Sequence, residues 1–338
     1  MSIKRHLLEA VVAKKEALKS AVSLCPEQVE EKLKNLWVQC IPEGVPERVA
    51  GVDGSRNSAN FAGYTIYAVG AGCVLYEGQG APEETFLCDI GLLRGEKHPE
   101  SRLHILMATL EFKVALKVCE RVNCLLVDGS IVNAILKPTA LTYQLEKQER
   151  VRLEEAFWGK VVPNYTLNSI TSRELGFEEA YMEYLEYLYT LLKLLRTCGK
   201  KLVAVSKTSD SRAYALHEKL PDITVLNRLT LKPGYTKPIA CALTQQKKFS
   251  LPEPFDRELR SYTFNTFFYR LKGNALKVET LMQPEKALKV LAYYSVGGYP
   301  YPLAQAHRSV KITAKDMSTL ISIVGLADKT GREFLGEA

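Results

Sequence analysis

Residues 51–57 read GVDGSRN, and residues 125–130 read LLVDGS. Each is an apolar run of strand character that stops at Asp-Gly, a turn signal. Asp53 and Asp128 therefore stand at the ends of strands whose preceding residues belong in a core. A carboxylate at a buried strand end is costly unless compensated, and two side by side repel. A divalent cation removes that repulsion, and Mg2+ and Mn2+ favour carboxylate oxygens while keeping water positions open. One Asp-Gly is a turn in any protein; two, each after an apolar strand, mark the pair for attention.

Working outward, residues 61–77 (FAGYTIYAVGAGCVLYE) suggest two strands joined tightly, and 83–90 (EETFLCDI) suggest another. A helix over about 99–121 places Leu103, Leu106, Met107, Leu110, Val114 and Val118 on one face. Glu111, four residues after Met107 and three before Val114, borders that face, either as an edge residue or as a third ligand. Beyond the second Asp-Gly-Ser, 140–158 and 173–198 read as helices and KLVAVS at 201–206 as a buried strand followed by a helix from Asp210. Residues 236–295 read as extended, most strongly in SYTFNTFFYRL, and helical segments close the chain after Pro302.

Strands, helix, strand, helices, strand and helix in this order indicate an α/β fold with one antiparallel side. The order matches a ribonuclease-H-like mixed sheet flanked by helices, with helical and β insertions. It divides the chain into an N-terminal helical segment, 1–45, and a domain over 46–338 with an insertion at about 129–200 and an extended region at about 236–295. In the first segment Ile3, Leu7, Leu8, Val11, Val12, Leu18 and Val22 make an amphipathic helix, packed either on its own domain or on a partner subunit.

The 338 residues are ample for a buried core, and a net charge of +7 permits a polyanionic partner without requiring one. Charges interrupt every apolar run of the first 20 residues, and no stretch of about 18 apolar residues occurs, so neither a signal peptide nor a membrane span is expected. The eight cysteines (25, 40, 73, 88, 119, 124, 198, 241) form no CxxC pair and read as reduced core residues of a cytoplasmic protein. An intracellular disulfide stays open for a hyperthermophilic source.

Among basic residues, Arg56 lies three positions beyond Asp53, and Lys207 follows the KLVAVS strand. Each is either a phosphate contact or a solvated charge. YMEYLEYLY at 181–189 offers aromatic rings that stack bases or, more in keeping with its spacing, pack a helix. His307, on a helix after Pro302, faces the carboxylates to complete a metal shell or protonate a leaving oxygen, or else sits at the surface. Tyr299 hydrogen-bonds a phosphate or packs.

GGYPYPLAQAHRSVKIT at 297–313, with GVDGSRN, the helix carrying Glu111 and LLVDGS, resembles the NurA nuclease family over nearly the whole chain. The YPYPLAQAH stretch is the most specific part. The resemblance implies a homodimeric, manganese-preferring DNA nuclease with a ribonuclease-H-like core, working beside a hexameric HerA-type DNA-translocating ATPase in end resection and double-strand-break repair. It implies 5'-3' exonuclease and single-strand endonuclease activity. It also implies that Asp53, Glu111 and Asp128 are the acidic ligands, with His307 as the C-terminal active-site histidine and Tyr299 its nearby tyrosine. Two other readings compete. An actin- or sugar-kinase-like ATPase also uses Asp-Gly-Ser turns at phosphates, but does not predict Glu111 or the YPYPLAQAH segment. A non-catalytic DNA-binding subunit has no need of three buried acids.

Overall fold

From Ile66 to Leu75 nearly every residue is buried, on both faces of one strand. Small residues at Ala68, Gly70, Ala71 and Gly72 make that possible, because helices can approach the strand from either side. The computed structural model describes residues 3–23, 26–61, 63–77, 80–95, 97–136, 145–245 and 251–325. Its strands in chain order are β1 (Trp37–Val38), β2 (Val49–Phe61), β3 (Tyr64–Tyr76), β4 (Glu83–Arg94), β5 (Cys124–Asp128), β6 (Leu202–Ser206), β7 (Gly234–Thr236), β8 (Ile239–Ala242), β9 (Thr263–Arg270), β10 (Leu276–Thr280), β11 (Ser295–Val296) and β12 (Tyr299–Pro300).

Ten of them form one mixed sheet in the order β1-β7-β9-β10-β6-β5-β2-β3-β4, with β8 also paired to β9. The meander β2-β3-β4 is antiparallel, β5 runs parallel to β2 and β6 parallel to β5, and β10 returns antiparallel to β6. Helices cover both faces, so the molecule is a three-layer α/β structure.

The helices are α1 (Ile3–Ala21), α2 (Pro26–Leu36), α3 (Pro99–Val118), α4 (Ile131–Leu136), α5 (Lys147–Ala156), α6 (Thr171–Glu174), α7 (Ala180–Cys198), α8 (Asp222–Leu229), α9 (Phe255–Arg260), α10 (Pro284–Tyr294), α11 (Tyr301–Val310) and α12 (Ala314–Val324). On one face α3 and α7 bury Leu103, Leu106, Leu110, Leu188 and Leu191 against Ala50, Val52, Leu125 and Val127. On the other, Leu288 and Leu291 of α10 and Leu303 of α11 meet Val49, Leu126 and Val205. Two buried ion pairs tie α3 to α7, Lys113 to Glu186 at 2.6 Å and Arg102 to Glu183 at 2.7 Å. Their remaining lone pairs are filled by Thr171, Ser172 and Arg173, as buried charge requires.

Several sequence expectations are corrected. Residues 64–76 form one strand, not two, because the glycines sit inside a continuous ladder with β2 and β4. No helix starts at Asp210; residues 207–221 are irregular, and α8 begins at Asp222, whose buried carboxylate accepts from the backbone N–H groups of Tyr214 and Leu216. The extended region contains α9 and α10, and 246–250 lie outside the described residues. Helix 140–158 is described from 145 onward, and α5 starts at Lys147.

The cysteines divide. Cys119 and Cys198 form a disulfide that joins the chain after α3 to the end of α7, against the expectation of reduced thiols. Cys40 and Cys88 are exposed, Cys73 and Cys124 are buried and free, and Cys25 lies outside the described residues. Residues 3–20 of α1 are exposed along their whole length, so its apolar side does not pack on its own domain. Tyr181, Tyr184 and Tyr187 are buried, as a packed helix requires. No described helix is long and apolar enough to cross a membrane.

Candidate active site

β2 and β5 pair in parallel with Val52 opposite Val127, so Asp53 and Asp128 occupy matching places one residue further along neighbouring strands. Two like charges thus meet on neighbouring central strands, Asp128 at the end of β5 but Asp53 inside β2, which, against the expectation of a turn at Asp53-Gly54, continues paired with β3 to Phe61.

The glycines of GVDGS then admit a helix from each side. A Cβ on Gly54 would stand 2.2 Å from Glu111 Oε1 and 2.7 Å from Met107 Cγ. The missing side chain is the space through which α3 delivers its carboxylate to the strand. A Cβ on Gly51 would stand 2.3 Å from the carbonyl carbon of Pro302, so α11 crosses β2 in direct backbone contact there. That crossing carries His307 to Asp53, with Nδ1 and Oδ2 2.7 Å apart. Ser55 fixes the far end of the same connection, its Oγ accepting from the Ile312 N–H, while the Asn57 amide donates to the Ile312 carbonyl.

The electrostatics follow from this crowding. Asp53 is 8% exposed, and burial with the neighbouring Asp128 charge holds its carboxyl above the ordinary carboxylate range. The His307 contact and the Gly54 N–H, which donates to Asp53 Oδ1 at 2.8 Å, oppose that rise. The Glu111 carboxyl is pushed up strongly, first by desolvation and then by Asp53 and Asp128. Burial and the same two aspartates also raise the Tyr299 phenol. Its hydroxyl faces Asp128 but has no hydrogen bond of good geometry.

Lys207 Nζ is the local counter-charge, 2.9 Å from Asp128 Oδ2 and 4.5 Å from the centre of the Tyr299 ring. Arg56 is engaged elsewhere, donating to the carboxylate and the carbonyl of Glu100 at the start of α3. Asp53, Glu111, Asp128, His307, Tyr299 and Lys207 are thus brought together, and Arg56 turns toward the first turn of α3. Sequence reading missed the parts played by Gly51, Gly54 and Ser55, although a glycine inside a strand is itself a signal of close approach.

Three neighbouring carboxylates, one imidazole and the buried Tyr299 hydroxyl facing Asp128 are donors that suit a hard divalent cation, which takes oxygen ligands readily and imidazole where offered. Among the described residues no three His, Cys, Asp or Glu side chains stand close enough together to hold a metal ion as they are; Asp53 is paired with His307 and Asp128 with Lys207.

Known proteins share this arrangement of chain. A probable DNA double-strand break repair nuclease NurA from Methanocaldococcus jannaschii is 28% identical over 85% of this chain and 81% of its own length. The NurA of Sulfurisphaera tokodaii is 27% identical over 96% of both. The crystal structure of the NurA nuclease from Sulfolobus solfataricus superimposes with a TM-score of 0.73 at 22% identity, over 95% of this chain and 96% of that one. A crystal structure of NurA bound to dAMP and manganese gives 0.64 at 17% identity, over 96% and 97%. With the NurA domain model matching residues 47–312, which include Asp53, Asp128, Glu111 and His307, the chain belongs to the NurA family.

Proposed function

We propose that this chain is a divalent-metal-dependent deoxyribonuclease that cleaves phosphodiester bonds with a two-metal-type site in double-strand-break repair. The observation that carries this reading is the meeting of Asp53, Glu111 and Asp128 beside the central strands β2 and β5, where Asp128 raises the cost of ionising Asp53 and both aspartates raise that of Glu111. Carboxylates held above their ordinary range concentrate at functional sites, and similarity to proteins named double-strand break repair nucleases supports DNA cleavage as the work of this one.

Asp53, Glu111 and Asp128 hold the metal, with His307 beside Asp53 completing the set. A bound Mn2+ or Mg2+ supplies Lewis-acid stabilisation of the phosphate and an activated water; manganese in a solved NurA structure supports Mn2+ as the working ion. His307 is half exposed against Asp53, a position from which an imidazole passes a proton to a leaving oxygen. Tyr299 and Lys207 orient phosphate oxygens at the same mouth, and Arg56 grips the backbone further along.

A ribonuclease-H-like core is supported by the run β4-β3-β2-β5-β6, with an antiparallel meander followed by two parallel strands. On this reading residues 46–338 are the nuclease domain and 1–45 the segment that meets partners. A homodimer, a HerA-type translocase, and 5'-3' exonuclease with single-strand endonuclease activity rest on the family resemblance. The uncovered apolar side of α1 supports an association with a second copy.

The deciding experiment is cleavage of end-labelled linear DNA in Mn2+, Mg2+ or EDTA, comparing the wild type with Asp53→Ala. Degradation that needs metal and vanishes in the variant is expected. Metal-independent binding without cleavage would leave a DNA-binding subunit, and ATP hydrolysis by the purified chain would favour the kinase-like reading.

A further inference from the structure

The second Asp-Gly-Ser turn is tied down from the opposite side of the sheet by two charged residues that do not belong to the cluster above. Glu279 lies on β10, two strands away from β5, and is 2% exposed. Its carboxylate oxygens stand 2.9 and 2.8 Å from the Ser130 hydroxyl, which donates to them. One of them also accepts from the Val132 N–H at 3.0 Å, in the first turn of α4. Lys277, 6% exposed on the same strand, donates to the other oxygen at 2.5 Å.

The turn is held at its middle as well. Gly129 adopts a φ of 101°, which only glycine takes easily, and its N–H donates to the Val205 carbonyl at 2.9 Å. Asp128 is thus followed by one residue fixed to β6 and another fixed to β10. A buried Lys–Glu pair is an expensive way to stabilise a sheet, since apolar residues of similar volume often do as well or better. Here every lone pair of Glu279 that is accounted for points at Lys277 or at the segment just after Asp128.

We propose that Glu279, charge-balanced by Lys277, is a positioning residue that sets the Asp128 carboxylate through Ser130 and the α4 N-terminus. The inference rests on the reading of Asp128 as a metal ligand. Residues behind a ligand commonly tune affinity and turnover by about 10–100-fold without touching the metal.

The test uses the full-length protein and four readouts: turnover, KM for DNA, Mn2+ binding followed by the EPR signal of the free ion, and thermal midpoint. Lys277→Met/Glu279→Gln removes both charges of the pair together, so neither partner is left buried without the other, and Ser130→Ala removes only the hydroxyl. Turnover and Mn2+ affinity are expected to fall about 10-fold in the double variant, with KM and thermal midpoint near wild type. Ser130→Ala should move the same two readouts in the same direction by a smaller factor. Wild-type turnover and Mn2+ affinity in folded variants would overturn the proposal. So would losses that track the thermal midpoint and recover on cooling, which would make the network merely structural. Asp128→Asn separates the layers: active Asp128→Asn protein defeats the active-site reading itself, whereas inactive Asp128→Asn beside a normal double variant defeats only the role of Glu279.

Discussion

Asp53 and Glu111 are acids held against their own charge, and that has a measurable cost. Burial comes first among the causes for both, and neighbouring carboxylates add to it. A raised folded pKa means that the native chain binds protons more tightly than the unfolded one, so metal-free stability falls with rising pH. The loss begins above the ordinary values of 3.8 and 4.5 and is complete once the pH exceeds the raised native values. In EDTA at neutral pH, Asp53→Asn should therefore be more stable than wild type, by on the order of 1 kcal/mol. The advantage should disappear at acid pH. Saturating Mn2+ should reverse the ranking, because only the intact cluster gains the full binding energy. Denaturant melts at several pH values, with and without Mn2+, check this, and a wild type that outlasts Asp53→Asn in EDTA at neutral pH would contradict it. At this scale Asp53 and Asp128 were legible because an acid after an apolar strand breaks the binary pattern. Glu111 was legible only as a residue bordering a helix face; what turns it inward is Gly54, on a different element. The contact of His307 with Asp53 joins residues 254 apart in the chain, and no local periodicity encodes it. The residue type and its helix after Pro302 left His307 open between this role and a surface place, and the resemblance of the YPYPLAQAH stretch pointed to the site.

Elements meet at this site through absent side chains. Because the Glu111 carboxylate occupies the place of a Gly54 Cβ, Gly54→Ala forces either the carboxylate or α3 to retreat. Cleavage should fall nearly as far as in Glu111→Ala, while overpacking costs the fold about 1–3 kcal/mol. Gly70→Ala, on the neighbouring strand, is the control, since its added Cβ meets nothing nearer than 3.5 Å. It should keep most of the activity, and equal damage from the two substitutions would show that general strand disruption, not the Glu111 approach, is at fault. The order of elements was readable because period-two and period-3.6 patterns alternate cleanly between residues 49 and 206. Boundaries failed where tertiary contacts replace local signals. β3 stays one strand because both neighbours pair along nearly its whole length. The segment after Asp210 stays irregular because Asp222 captures its N–H groups. The Cys119–Cys198 bond was not deducible, since it depends on where α3 and α7 end relative to each other across 79 residues.

For the whole molecule the feature left without an internal purpose is α1. Ile3, Leu7, Leu8, Val11 and Val12 are each more than half exposed, and Leu18 is 57% exposed. The side chain of Arg228 donates to the Val22 carbonyl just past the helix. A helix that buries none of its apolar side is supported by local terms alone, and those are marginal in water. Six large apolar side chains on one side also make a patch that monomeric proteins seldom leave open. The sequence showed the amphipathic period but not its partner, since the same pattern serves a helix packed on its own domain and one packed on another chain. Association with a second copy resolves both difficulties at once, because the same surface on two chains can cover itself about a two-fold axis. Deleting residues 1–22 should then convert a species of two-chain mass in light scattering to one of single-chain mass. The core itself should lose little stability, because none of the described residues of α1 belongs to a buried cluster. Metal-dependent cleavage that needs Asp53 should persist in the truncated protein, since the cluster is assembled from β2, β5, α3 and α11 of one chain. A truncated protein that keeps the two-chain mass would assign the dimer contact to another surface and leave the apolar side of α1 to a different partner.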